Sequence, residues 1–116
     1  MISEGNIALF QFPNTDTSSG KLRPALVIRR TTGRFNDWLI CMISSRVHQI
    51  EADTDILIKQ DSAAFQATGL KVSSVIRSQR LAVVDQSVFR GVLGKVETGV
   101  LRGVKQNIAE WVCGSE

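Results

Sequence analysis

The chain has a single histidine, His48, no tyrosine, and only two cysteines, Cys41 and Cys113, which lie far apart. That sparseness leaves no zinc-finger, iron–sulfur or dithiol redox spacing to be written. Scattered acids such as Glu51, Asp53 and Asp55 read as loop residues rather than a cage for a divalent cation. No metal site and no cofactor are expected. No glycine-rich phosphate loop precedes a helix, which disfavours nucleoside-triphosphate chemistry, and no nucleophile elbow is present, which disfavours a Ser-His-Asp hydrolase. No apolar run approaches the roughly 20 residues of a membrane span. The N-terminal Met-Ile-Ser-Glu lacks the basic region of a signal peptide. The expectation is a cytoplasmic protein with no membrane attachment, its cysteines kept as thiols. Internal repeats, low-complexity tracts and interdomain linkers are also missing.

What is present fits one domain over residues 1–116, with one modest core: 43% of residues are apolar and 22% charged. The net charge of +3 is small, but it is unevenly spread. Between Gly20 and Ile50 stand Lys21, Arg23, Arg29, Arg30, Arg34 and Arg46, against Asp37 alone. Such a segment either draws in a polyanion or forms a solvated set of loop and strand-edge charges.

Most of the chain reads as short strands. Ile7–Phe12 is a first strand ended by Pro13, and Asn14–Gly20 is a dense turn-forming loop. A second strand runs from Pro24 to about Arg30, a third from Trp38 to Ile43, and a short fourth is expected over Val47–Ile50. Thr54–Lys59 alternates as a further strand, and Ser62–Ala67 suits one or two helical turns closed by Gly69. Val72–Val84 is a long β-prone segment, with Val75, Arg77, Gln79 and Leu81 on one face and Ser74, Ile76, Ser78 and Arg80 on the other. Neither face is purely apolar, so part of this strand is expected to border a groove. Asp85–Phe89 suits a turn or short helix, and Val92–Val96 a closing strand. The last element is a helix from about Thr98 to Val112, with Thr98 as N-cap and Gly114 as stop. Its stripe is Val100, Leu101, Val104, Ile108, Trp111 and Val112. Phe10, Phe12, Trp38 and Trp111 are expected in the core, or for the tryptophans at a dimer contact. Many short strands with one terminal amphipathic helix suggest a small β-barrel with helices attached.

The candidate chemistry centres on Arg23-Pro24, where a polar loop meets the apolar run Ala25–Ile28. Proline fixes its own φ and pushes the preceding residue towards an extended conformation, so Arg23 stands at a rigid strand mouth. A guanidinium there can grip two phosphate oxygens at once, or simply start a strand at the surface. Ser44-Ser45-Arg46 follows the central strand. If the second and third strands are neighbours, a cation and a hydroxyl meet at one end of the sheet. Metal-free RNA cleavage needs little more than alignment of the ribose 2′-OH with phosphorus, a proton acceptor, and donors for the phosphoryl oxygens. The alternative for Ser44 is a strand-end hydroxyl bonding its own backbone.

Gly5-Asn6-Ile7, Phe12-Pro-Asn-Thr-Asp16, Gly20–Ile28, Ile43-Ser-Ser45 and Ser74-Val-Ile-Arg77 occur in an order and spacing that resemble the MazF/PemK family of toxins from bacterial toxin–antitoxin pairs. The resemblance covers about residues 5 to 112, and Arg23-Pro-Ala-Leu-Val27 is its most specific stretch. It implies a small SH3-like β-barrel of the MazF/PemK/CcdB type with a C-terminal amphipathic helix, usually a homodimer. It implies a metal-independent, sequence-selective endoribonuclease that cuts single-stranded RNA to 2′,3′-cyclic phosphate and 5′-hydroxyl ends. A cognate antitoxin, whose disordered segment lies over the RNA groove, is the implied partner. Arg23 matches the family's catalytic arginine, and Ser44 its catalytic hydroxyl, where threonine is more usual. Serine keeps the hydroxyl but lacks the methyl that restricts χ1. Lys21, Ser45, Arg46, Ser74 and Arg77 are the candidate RNA contacts, Arg77 either supporting RNA or the groove wall or standing as a strand-surface charge. The loop Asn14–Gly20 resembles the flexible first loop of the PemK branch. Asn6 stands where aspartate is common, and Gln79 where an acid is common. His48 is a candidate general base by residue type that the resemblance does not require. Two other readings stay open: an RNA-binding barrel without catalysis, and a gyrase poison. The latter ranks last because Trp111 falls within the helix stripe.

Overall fold

The computed structural model describes residues 2–11, 22–50 and 53–114. Phe12, the loop Asn14–Gly20 and Lys21 lie outside the described residues. Six strands, β1 (Asn6–Gln11), β2 (Leu22–Arg30), β3 (Asp37–Ser44), β4 (Ile56–Ile58), β5 (Ser74–Asp85) and β6 (Phe89–Lys95), form one antiparallel sheet in the order β4-β5-β3-β2-β1-β6. Helix α1 (Phe65–Thr68) lies between β4 and β5 in the chain, and α2 (Thr98–Cys113) ends the fold. A 3₁₀ turn at Gln86–Val88 joins β5 to β6, with the Asp85 side chain accepting from the Ser87 N–H.

The central strands are apolar throughout because both of their faces are buried. On one face Ile7, Leu26, Ile28, Cys41, Ile43 and Ile76 pack under α2, which contributes Val100, Leu101, Val104 and Ile108. On the other, Ala8, Phe10, Ala25, Val27, Trp38 and Ile40 gather with Ile2 of the N-terminal segment, Val88 and Phe89. Alternation along β2 and β3 feeds the two cores in turn. Phe10 and Trp38 are thus in the core as expected, whereas Trp111 is 45% exposed and Val112 68%. The helix stripe stops at Ile108, and the last turn of α2 runs past the sheet. Its N-cap is Glu97, one residue before Thr98, and Gly114 ends it in the left-handed region.

The expected barrel has a helical seam. Among the described residues β4 and β6 do not pair with each other. Instead α1 follows β4 and packs on β6. Gly69 closes α1 at φ 73°, and Gly69 and Gly94 let the two backbones meet: a Cβ on Gly94 would collide with the Ala67 and Thr68 carbonyls.

Three other expectations are corrected. Val47–Ile50 is a turn, not a strand: the Arg46 N–H is taken by Ser44 Oγ at 3.1 Å, and Gln49 N–H bonds back to the Arg46 carbonyl at 3.0 Å. That local bonding ends the ladder. β2 begins at Leu22, so Arg23 and Pro24 lie inside the strand, paired with Phe10 and Leu9 of β1. Pro24 is tolerated there because the ladder to β3 starts one residue later, at Ala25–Met42. Finally, β5 does not alternate evenly. Cys41 pairs with Leu81 and Met42 with Arg77, so Ser78–Arg80 form a bulge. The bulge reverses the phase, and Ile76 and Leu81 join the same core although an odd spacing separates them.

Candidate active site

The sheet order places β3 between β2 and β5, and the three strands bring the candidate residues to one end. Ser44 is the last residue of β3 and pairs with Val75 of β5. On the other side Ala25 pairs with Met42, and continuing that register by two residues sets Arg23 across from Ser44. Residues directly opposed on antiparallel strands project to the same face, with Cβ atoms about 5 Å apart. The neighbouring strands that the cation–hydroxyl pairing requires are therefore present.

A cavity of about 980 Å³ opens at this end. Its walls include Arg23, Ser44, Ser45, Arg46, Ser74 and Arg77, six of the described residues that the sequence nominates. Sequence reasoning missed Gln49, Lys71 and Arg80, which line it too. Among the described residues the lining thus carries five cations (Arg23, Arg46, Lys71, Arg77 and Arg80) and no carboxylate. Low-dielectric walls with charge of one sign concentrate field lines and favour an anionic ligand. Leu9, Leu22, Met42, Leu70, Val72 and Leu93 supply apolar surface between the charges, on which a base can rest. His48 is not among the lining residues.

The hydroxyls differ. Ser44 Oγ accepts the Arg46 N–H at 3.1 Å, so the strand-end bond weighed for it does form. Accepting that bond orients Ser44 and leaves its own O–H as a donor. Ser74 is 3% exposed, and its hydroxyl donates to the Val72 carbonyl at 2.9 Å. Arg77 Nη1 stands 3.6 Å from Asp55 Oδ2. The basic segment divides between the two readings weighed for it. Arg23 and Arg46 reach the cavity, while Arg30 bonds Asn36 and the Phe35 carbonyl in the turn after β2, and Arg34 lies over the Phe35 ring at 5.4 Å.

No group of three His, Cys, Asp or Glu side chains among the described residues is placed to hold a metal ion. Cys41 is fully buried, and burial pushes its thiol up to about 12. It serves as core, remote from nucleophilic chemistry. No helix among the described residues is long and apolar enough to cross a membrane.

With this geometry in view, comparisons with known proteins agree on one relationship. The family model for the PemK-like, MazF-like toxin of type II toxin–antitoxin systems matches residues 3–112. A search of curated proteins returns no match. Among solved structures, the Mycobacterium tuberculosis toxin MazF-mt6 is similar at 14% identity and a TM-score of 0.68, covering 93% of this chain and 96% of that one. An endoribonuclease in complex with its cognate antitoxin, from a mycobacterial species, aligns at 8% identity and a TM-score of 0.72, over 100% and 99% of the two chains. The MazE–MazF structure from Deinococcus radiodurans aligns at 19% identity and 0.70, over 99% and 97%. At these identities the structural likeness concerns the fold.

Proposed function

The chain belongs to the PemK-like, MazF-like toxins of type II toxin–antitoxin systems, and we propose that it acts as a single-domain endoribonuclease that cuts single-stranded RNA without a metal ion. The observation that carries this reading is the convergence of Arg23 and Ser44, from neighbouring strands, on one cavity whose described lining holds five cations and no carboxylate. Arg23 stabilises charge on the phosphoryl oxygens, and the Ser44 hydroxyl orients the scissile phosphate or the attacking 2′-OH. The 2′-oxygen bonds to phosphorus and loses its proton. The bond to the 5′-oxygen breaks, and that oxygen gains one. The products are a 2′,3′-cyclic phosphate and a 5′-hydroxyl. RNA is required because DNA lacks the internal nucleophile. Arg46 and Arg77 hold the strand along the cavity, with Lys21, Ser45 and Ser74 as further contacts. The chain works in the cytoplasm as a homodimer, and the same positive cavity receives the acidic segment of a cognate antitoxin.

The test is incubation with RNA in EDTA, followed by mapping of the ends. Cleavage is expected, and Arg23→Ala should slow it by about 10² to 10³, the usual cost of losing a donor to a developing oxyanion. Intact RNA across many sequences, with folded protein, refutes the reading. Three features favour alternatives. The Ser44 hydroxyl is already engaged with the Arg46 N–H, and Gln79 replaces an acid; binding without product would mark a non-catalytic RNA-binding barrel. Trp111 is 45% exposed, so its supposed burial no longer counts against a gyrase poison, which a supercoiling assay separates.

A further inference from the structure

Behind the cavity wall lies a carboxylate that the proposed reaction does not use. Asp55 is only 3% exposed at its side chain, and its Oδ2 stands 3.6 Å from Nη1 of Arg77, itself 11% exposed. A carboxylate so deeply placed is tolerated only against a cation. Arg77 lines the cavity and Asp55 is not among its lining residues, so the acid meets the guanidinium from outside the ligand space. The segment carrying Asp55 is pinned in turn. The Thr54 carbonyl accepts from Ser78 Oγ at 2.9 Å and from Asn107 Nδ2 of α2 at 3.3 Å. Ser78 belongs to the β5 bulge, the residue after Arg77, and is fully buried. The bulge, the segment before β4, and α2 thus meet at one point. The geometry points to Asp55 as the positioning residue of the cavity: it holds the Arg77 guanidinium against the wall, with Ser78 and Asn107 holding the Thr54 carbonyl that precedes it. Asp55 touches no substrate; it acts through Arg77. It also cancels part of the Arg77 charge, so the pairing trades affinity for orientation. The proposal rests on the cavity being the RNA site.

The experiment compares wild type, Asp55→Asn, Arg77→Ala and the double variant. Three quantities are read: kcat and KM for RNA cleavage, affinity for a 2′-O-methyl oligonucleotide that cannot react, and the Arg77 Nε–H signal in nitrogen-15 NMR. Asp55→Asn is expected to lower kcat by about tenfold or more, since small misplacements of a catalytic contact cost up to about 10²-fold. Affinity should hold or rise, because the Arg77 charge is no longer offset. In the Arg77→Ala background the same substitution should change kcat by less than about twofold, the two residues acting as one unit. The Nε–H signal should be sharp and slowly exchanging in wild type and averaged in Asp55→Asn. Unchanged kcat in folded Asp55→Asn overturns the proposal. So does an equal loss in both backgrounds, as a purely structural role would give, or an Arg77 signal as mobile in wild type as in the variant. Should Asp55→Asn not fold, Arg77→Met is compared with Asp55→Asn/Arg77→Met, which removes both charges; a further loss of kcat in the pair overturns the proposal. If wild type cuts no RNA, the cavity reading fails, and the NMR comparison still decides whether Asp55 anchors Arg77.

Discussion

Salt should weaken RNA binding by an amount the cavity sets. Arg77 holds the strand with a charge already offset by Asp55, and Arg80 also has an interaction within the protein, so Arg23, Arg46 and Lys71 are the lining cations counted as releasing counterions. For single strands each neutralised phosphate contributes about −0.7 to the slope of log K against log salt, so three contacts give a slope of about −2.1. Raising salt from about 50 to 200 mM then lowers affinity by about twentyfold, and deleting one contact returns about 2.6-fold of that sensitivity. The assay is fluorescence anisotropy with a labelled 2′-O-methyl oligonucleotide, which binds without being cut. Lys71→Ala should shift the slope by about 0.7 without altering sequence preference, because a phosphate contact carries no base information. A slope near zero would show that the cavity does not hold the strand by its phosphates. A slope unchanged by Lys71→Ala would show that the strand runs elsewhere, and the electrostatic reasoning would fail in either case.

Further outcomes concern the fold and its thiols. Gly94→Ala, which drives a methyl into the Ala67 and Thr68 carbonyls, should destabilise the protein by about 1–3 kcal/mol in urea unfolding by overpacking the seam; an unchanged midpoint would show that α1 does not close the sheet there. In native protein only exposed Cys113 should react quickly with a thiol reagent, while Cys41 reacts after unfolding; fast reaction at both would refute the burial of Cys41. Because burial raises the Cys41 thiol to about 12, its contribution to stability is complete below the unfolded value of about 8.5 and is lost as pH rises towards the folded one; Cys41→Ala should flatten the alkaline limb of Tm against pH. The Asp85 carboxyl is held below its usual range by bonds from Ser87, so its contribution is present above the unfolded value of about 3.9 and is lost as pH falls through the folded one. Asp85→Asn should shallow the acid limb, and an identical limb would show that the Ser87 contacts do not survive in solution.

The parts of the site legible in the sequence were those set by local rules. Arg23 was found because proline follows it and an apolar run follows that. Ser44 was found because a hydroxyl ends the most apolar strand. Each needs only the chain on either side. Their meeting was conditional on β2 and β3 being neighbours, and the ladder from Ala25–Met42 to Arg30–Trp38 meets that condition. What stayed hidden depends on long-range register. Arg80 sits in the β5 bulge, and no count of alternate residues reveals where a bulge falls. Lys71 lies on the segment between α1 and β5, whose path is set by the contact of Gly69 with Leu93. Arg29, Arg30 and Arg34 looked continuous with Arg23 in sequence. A nine-residue strand separates its ends by about 27 Å at the usual rise, so charges adjacent in a composition window need not share a surface.

That geometry also explains why the cavity is basic without the protein being strongly so. The net charge is +3, yet the described cavity lining gathers five cations from four separate stretches: β2, the turn after β3, the segment before β5, and β5 itself. Among the described residues, Asp55 is an acid set against them, and it is buried and ion-paired with Arg77. Net charge therefore says little about this site, because the sheet sorts the charges by strand end. The sorting follows from an antiparallel order in which β3 is central: the C-terminal end of β3 necessarily lies beside the N-terminal ends of β2 and β5. Residues just before one apolar run and just after another must then converge. A basic residue at the start of β2, a hydroxyl at the end of β3 and a basic residue early in β5 converge through topology alone, while the side-chain angles there depend on the bulge and the buried acid that no local rule discloses.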